Sequence, residues 1–79
     1  MKIKVIVTLK KGVLDPQGKA IQQTLIGMGH NNVNEVRQGK YFEIEIDEKD
    51  EKKGKTKAED MCKKLLANLV IEDYSVEIE

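Results

Sequence analysis

The segment "NNVNEVRQGKYFEIEID", residues 31–47, decides how this chain folds. Its second half alternates: Phe42, Ile44 and Ile46 share one face, while Tyr41, Glu43 and Glu45 share the other, the pattern of a strand. Its first half is poorer in apolar residues, with only Val33 and Val36. Between the halves, Gln38-Gly39 has two readings. A tight hairpin turn makes 31–37 a strand of its own. A bulge or bend makes the whole segment one long strand. The residues leave both open. On the hairpin reading the fold is ferredoxin-like, and 31–37 is an edge strand that invites pairing with another chain.

The flanking elements are plainer. In "KIKVIVTLK", residues 2–10, Ile3, Val5, Val7 and Leu9 fall on one face, which predicts a strand. Ile6 lies among the lysines of the other face, so that side is not wholly wet. "DPQGKAIQQTLIGMG", residues 15–29, predicts a helix. Asp15 caps its first turn and Pro16 takes the first helical position, where a missing N–H costs nothing. Ile21, Leu25 and Met28 recur at helical spacing, and Gly27 and Gly29 mark the end. Gly18 is out of place, since glycine inside a helix costs roughly 1 kcal/mol relative to alanine. "DEKDEKKGKTK", residues 47–57, mixes charges around Gly54 and reads as a solvated loop. Thr56 and Glu59 then form a capping box for a helix over 56–69. Its apolar stripe is Ala58, Met61, Cys62, Leu65, Leu66 and Leu69. Tyr74, Val76 and Ile78 alternate in a last strand. The expected architecture is an oligomeric α+β sandwich, β-α-β-(β)-α-β, with an antiparallel sheet and two helices on one face, ferredoxin-like or closely related.

Seventy-nine residues make one small domain, 1–79. A chain this short buries only about 60–65% of its unfolded surface, so its core is marginal. With one cysteine, Cys62, it cannot staple itself, and one His and one Cys do not make a metal cage. Oligomerisation is the remaining supplement. Fourteen basic residues balance fourteen acidic ones, and the only aromatics are Tyr41, Phe42 and Tyr74. That balance argues against a nucleic-acid partner. No stretch reads as a signal peptide or approaches the roughly 20 apolar residues of a membrane span, so a cytoplasmic chain is expected.

Few residues offer chemistry. His30, in "GHNN", has no nucleophile near it in sequence, and Cys62 sits on an apolar stripe where a buried thiol is the simpler reading. Gly12 and Gly18 match neither dinucleotide nor P-loop spacing. A strand, a glycine turn and a helix start can hold an anion, but the Asp15 carboxylate already occupies that place. Arg37 and Lys40 flank Gln38-Gly39 in "VRQGKYFE"; they are either solvated charges or a contact surface.

Three stretches together resemble one family. They are "GVLDPQG" at 12–18, "VRQGK" at 36–40 and "LLANLVIEDY" at 65–74. In order, spacing and chain length they are similar to PurS, the small subunit of phosphoribosylformylglycinamidine synthase where that enzyme is divided into three chains. The resemblance runs from about residue 3 to the end. It implies a subunit with no active site and no cofactor of its own. A glutaminase subunit supplies ammonia, and a large synthetase subunit uses ATP and Mg to make formylglycinamidine ribonucleotide in purine biosynthesis. It implies a homodimer or homotetramer that bridges those two subunits and aids ammonia transfer. Gly12, Asp15, Gly18, Arg37, Gly39 and Lys40 become candidate subunit contacts. The two glycines at 12 and 18 would keep the corner thin for an approaching chain, so that bulk at Gly18 would hurt assembly before folding. The alternative is a ferredoxin-like regulatory module that binds a small molecule.

Overall fold

A computed structural model describes all residues, 1–79. The order is β1 (Lys2–Leu9), α1 (Pro16–Gly27), β2 (Gly39–Glu45), α2 (Glu51–Met61), a π-helical turn (Cys62–Leu66) and β3 (Glu72–Ile78). The strands form one antiparallel sheet in the order β2-β1-β3. The α+β class and antiparallel sheet expected from the alternation are therefore present.

Period two in β1 places Ile3, Val5 and Val7 on one face, and all three are fully buried. Each such side chain contributes about 1.5–3 kcal/mol relative to exposure. The register sets Ile44 and Ile78 beside Ile3, and Phe42 and Val76 beside Val5. Ala58, Cys62 and Ala67 close the core from the helical layer. On the opposite face Lys4 lies between Glu43 and Glu77, so like charges never oppose each other there.

The second helix begins earlier than the sequence suggests. Residues 51–57 are helical, not a loop. Asp50 is the cap: its Oδ1 accepts from the N–H groups of Lys52 and Lys53 at 2.9 and 3.4 Å. Thr56 caps nothing and instead donates its hydroxyl to the Lys52 carbonyl, one turn back, at 2.9 Å. Gly54 is tolerated because the Met1 side chain lies where a Cβ would go. A dense run of lysines and acids is no obstacle to a helix once its start is capped and its small residues face the core.

The end of that helix also departs from the expected stripe. The N–H of Ala67 donates to the carbonyl of Cys62, five residues back, at 2.9 Å. That π-helical turn shifts the following positions around the axis. Leu65 swings out to 82% exposure and Leu69 to 44%, while Leu66 stays against the core.

The expected strand over 31–37 does not form, and Gln38-Gly39 is neither a hairpin nor a bend within a strand. Gly39 is the first residue of β2. The backbone of 31–38 is satisfied from α1 instead of from a ladder. The Gln22 side-chain amide donates to the carbonyls of Val33 and Asn34 at 3.2 and 2.7 Å, and the Gln38 N–H donates to Asp15. The result is a ferredoxin-like order without its second strand. The sheet surface on which α1 would lie is missing with it. Only α2 lies on the sheet, and α1 makes no extensive contact with any strand. The molecule is accordingly long, 49 × 25 × 14 Å.

Candidate functional site: the β1–α1 corner

β1 leads into α1 through a turn, in which the N–H of Val13 donates to the carbonyl of Lys10 at 3.1 Å. Gly12 takes φ +87° there, a left-handed conformation that favours glycine. No atom stands near its missing Cβ, so the residue is required by dihedral angle and not by a close neighbour.

Asp15 follows and does more than cap a helix. Its Oδ1 accepts from the Gly18 N–H and its Oδ2 from the Gln38 N–H, both at 2.8 Å. The residue is 7% exposed. These bonds favour the ionised form, so the carboxyl is held below its ordinary value. The Gln38 N–H is the largest cause, followed by the Gly18 N–H; the Arg37 guanidinium adds a smaller effect. One carboxylate thus starts α1 and fastens the entry to β2.

Gly18 has its explanation here. A Cβ at this position would strike the Val36 carbonyl. The chain that approaches Gly18 is its own segment 33–38, packed on the first turns of α1. The helical cost of glycine is the condition for that contact, and an outside chain is not needed to account for it.

Arg37, though exposed, likewise binds the chain's own backbone. Its Nη1 donates to the Val13 carbonyl at 3.0 Å, and its Nη2 donates to the carbonyls of Leu9 and Lys10 at 3.3 and 3.1 Å. The planar fork gathers three carbonyls of the turn after β1, an arrangement a lysine cannot copy. The two cations of "RQGK" therefore part company. Lys40 lies on the inner side of the sheet opposite Val7, with its Nζ 3.8 Å from Glu72. The other oxygen of Glu72 accepts from the Asn68 N–H at 2.7 Å. Gly39, between them, passes close to β1: a Cβ there would come within 2.7 Å of the Val7 carbonyl.

The structure thus brings Gly12, Asp15, Gly18, Arg37, Gly39 and Lys40 to one corner. An open groove of about 490 Å³ runs along it, floored by Val7 and Leu9 and edged by Asp15, Gln38, Lys40 and Glu72. Gln22, Val36 and Glu72 belong to the same arrangement and carry no sequence signal, apart from the odd placement of Gly18. Most polar groups of the corner bind the chain's own backbone, which makes it a positioning device. No cluster of three or more His, Cys, Asp or Glu could hold a metal ion. His30 lies apart, in the turn after Gly29, and Cys62 is buried, its thiol pushed up by burial. No helix is long and apolar enough to cross a membrane.

Comparison with known proteins agrees along the whole length. Residues 2–79 match the model of the PurS family, phosphoribosylformylglycinamidine (FGAM) synthase. The PurS subunit of this synthase from Bacillus subtilis is 53% identical over 78 residues, covering 99% of this chain and 92% of the relative. The crystal structure of Methanocaldococcus jannaschii PurS superposes with a TM-score of 0.88 at 52% identity, covering 99% of this chain and 94% of that one. A chain in the PurLQS structure from Thermotoga maritima also gives 0.88, at 29% identity and with 96% and 93% covered. A match over 78 residues, joined to a shared three-stranded sheet and two helices, shows that this chain belongs to the PurS family of FGAM synthase subunits.

Proposed function

We propose that this chain is the small, non-catalytic subunit of FGAM synthase, and that it holds a glutaminase subunit and a large synthetase subunit together and aids ammonia transfer between them. The reading rests on family membership and on the PurLQS structure, which contains a chain of this fold. The observation that carries it is the surplus of apolar surface. Only 9 of 79 residues are buried, while ten large apolar side chains are exposed, among them Leu14, Met28, Leu65 and Val70. With so small a core, this exposed apolar surface supports the reading that other chains supply the missing burial.

ATP and glutamine are consumed by the complex with Mg as its metal ion, and all three are held by the larger subunits, in the cytoplasm. The corner serves assembly by shape. Gly12, Asp15, Gly18, Arg37 and Gly39 set the angle between α1 and the sheet, and Lys40 lines the groove as a polar contact. A homo-oligomer supplies the core that the single chain lacks.

The test is reconstitution. Glutamine-dependent amidine synthesis is expected only when this chain is added to both larger subunits. Equal synthesis without it would refute the reading. The groove favours a second reading, a regulatory module binding a small polar ligand. A screen of amino acids and nucleotides in which none raises the melting temperature would remove it.

A further inference from the structure

Residues 51–57 of α2 have little to hold them. Apart from Gly54 they are all charged or polar, and Gly54 is the only one of them that is buried. Glycine inside a helix costs roughly 1 kcal/mol relative to alanine, so these turns need support from outside. Asp50 caps them, and Lys57 reaches Glu48 at 2.9 Å. From the core side, Met1 supports them. Its sulfur occupies the place of the missing Gly54 Cβ, and its Cε and the Ile3 Cδ1 lie 3.2 and 3.9 Å from that point. The Ile46 N–H donates to the Met1 carbonyl at 2.9 Å and fixes the residue from which the thioether projects.

The same residue is open to small solutes. A cleft of about 420 Å³ is lined by Met1, Ile46, Asp47, Glu48 and Lys49. Met1 forms part of its wall and is half-buried, not closed off. The other two methionines differ. Met28 is 67% exposed, and Met61, though half-buried, does not pack against the core cluster, as Met1 does. Cys62, the remaining sulfur, is fully buried. Only Met1 joins access to a structural seat.

We propose that Met1 is a redox-sensitive clip: a hydroperoxide entering the cleft oxidises its thioether, and the sulfoxide releases the first two turns of α2. The sulfur attacks one oxygen of the peroxide. An S–O bond forms as the O–O bond breaks, and with hydrogen peroxide the departing hydroxide takes a proton and leaves as water. Sulfur gives up two electrons and the peroxide receives them. The product carries a polar oxygen on a sulfur that already fills the space of the missing Cβ. Extra volume in a filled seat and a polar group without a partner both oppose its staying there. The side chain leaves, and the turns around Gly54 lose their support from the core. Reduction by a thiol-dependent sulfoxide reductase restores the thioether and the seat.

The experiment uses the full chain and hydrogen peroxide. Peptide mass spectrometry follows each methionine and Cys62, and hydrogen exchange follows the amides of 54–58. Met28, the more exposed, is expected to oxidise first and without effect on α2. As Met1 converts, exchange at 54–58 should rise at least tenfold, with the Gln38 amide unchanged. Sulfoxide reductase with a thiol should reverse the change. In a chain carrying Met28→Leu and Met61→Leu the response should persist. In Gly54→Ala the new methyl takes the place of the sulfur, and peroxide should change nothing further in α2. A Met1 sulfoxide that leaves exchange at 54–58 unaltered overturns the proposal. So does a folded chain whose Met1 resists peroxide long after Met28 is converted, or a response lost with Met28 and Met61. A Gly54→Ala chain that responds like the parent overturns it, as does exchange that rises only in molecules oxidised at Cys62.

Discussion

The two ends of this small chain are built by different means. One end is the sheet with α2, where Ile3, Val5, Val7, Ala58 and Cys62 lose all contact with water. The other is an arm, residues 10–38, in which only Asp15 and Gly18 are buried. Burial holds the first; directional hydrogen bonds from Asp15, Gln22 and Arg37 hold the second. The difference teaches how a domain too small for two cores still orders a second helix. It fastens the helix at its base and leaves its apolar face for another surface. A part held by few buried groups opens locally at lower cost than the rest. The arm is therefore expected to exchange its amide hydrogens through local opening, and β1 only through global unfolding.

The largest effect tests the core end. Ile3→Ala removes a fully buried side chain, at a cost of about 2–5 kcal/mol. In a domain of this size each 1 kcal/mol lowers the melting temperature by roughly 4–8 °C. A thermal melt should show the whole molecule unfolding tens of degrees early; a small shift would mean that the sheet is not the stability centre.

A smaller and localised effect is expected at Gly18. In Gly18→Ala the new methyl meets the Val36 carbonyl, so residues 33–38 must move off α1. Hydrogen exchange at the Gln38 amide should rise at least tenfold, with β1 amides unchanged. Uniform acceleration in both regions would show the arm and sheet to be one cooperative unit. Arg37→Ala frees the carbonyls of Leu9, Lys10 and Val13 and should act in the same direction, more weakly, with Arg37→Lys failing to rescue it.

Acid offers a milder comparison. Asp15 is more acidic in the folded chain than its ordinary value of 3.8, through the N–H groups of Gln38 and Gly18. Glu48 lies below its ordinary 4.5, chiefly through its bond to Lys57. A depressed carboxyl stabilises fully above its unfolded value and loses that contribution as pH falls through the folded one. Stability should be flat in this respect from neutrality to about pH 5 and decline below about pH 4. Asp15→Asn should weaken the arm at pH 7 and remove part of that acid dependence. An unaltered pH profile of arm exchange would separate Asp15 from the corner's stability.

The smallest effect is at Leu65. It lies on the stripe read from sequence, yet it is 82% exposed within the π-helical turn. Leu65→Ser should change stability by less than about 0.5 kcal/mol, whereas Leu66, one position on, lines the core. A large loss at Leu65 in the isolated chain would restore the regular stripe.

These residues also show where the sequence is legible. Alternation in 2–9, 41–46 and 74–78 sets each residue's face directly, because a strand's period depends on nothing distant. The Asp15-Pro16 start of α1 is equally local. Asp15, Gly18 and Arg37 were recognisable as unusual, and their sequence spacing does not reveal that they bind one another's neighbourhood. The cap at Asp50 was hidden because mixed charge reads as solvated loop until Met1 is seen covering Gly54.

By itself the sequence determined the class: three alternating segments and two helices in a chain of 79 residues with one cysteine and no net charge. It also carried the family, through motifs whose order and spacing extend over most of its length. Tertiary structure decided the rest. Residues 31–38 are held by α1 and not by a strand, because Gln22 and Asp15 offer their backbone better partners than a lone polar edge would. Leu65 points outward because one five-residue hydrogen bond resets the helix phase. Gly18 serves the chain's own fold because the carbonyl it admits, Val36, lies 18 residues further along the sequence. Local pattern governs which elements form; contacts between residues far apart in sequence govern where they lie and which surfaces they leave open.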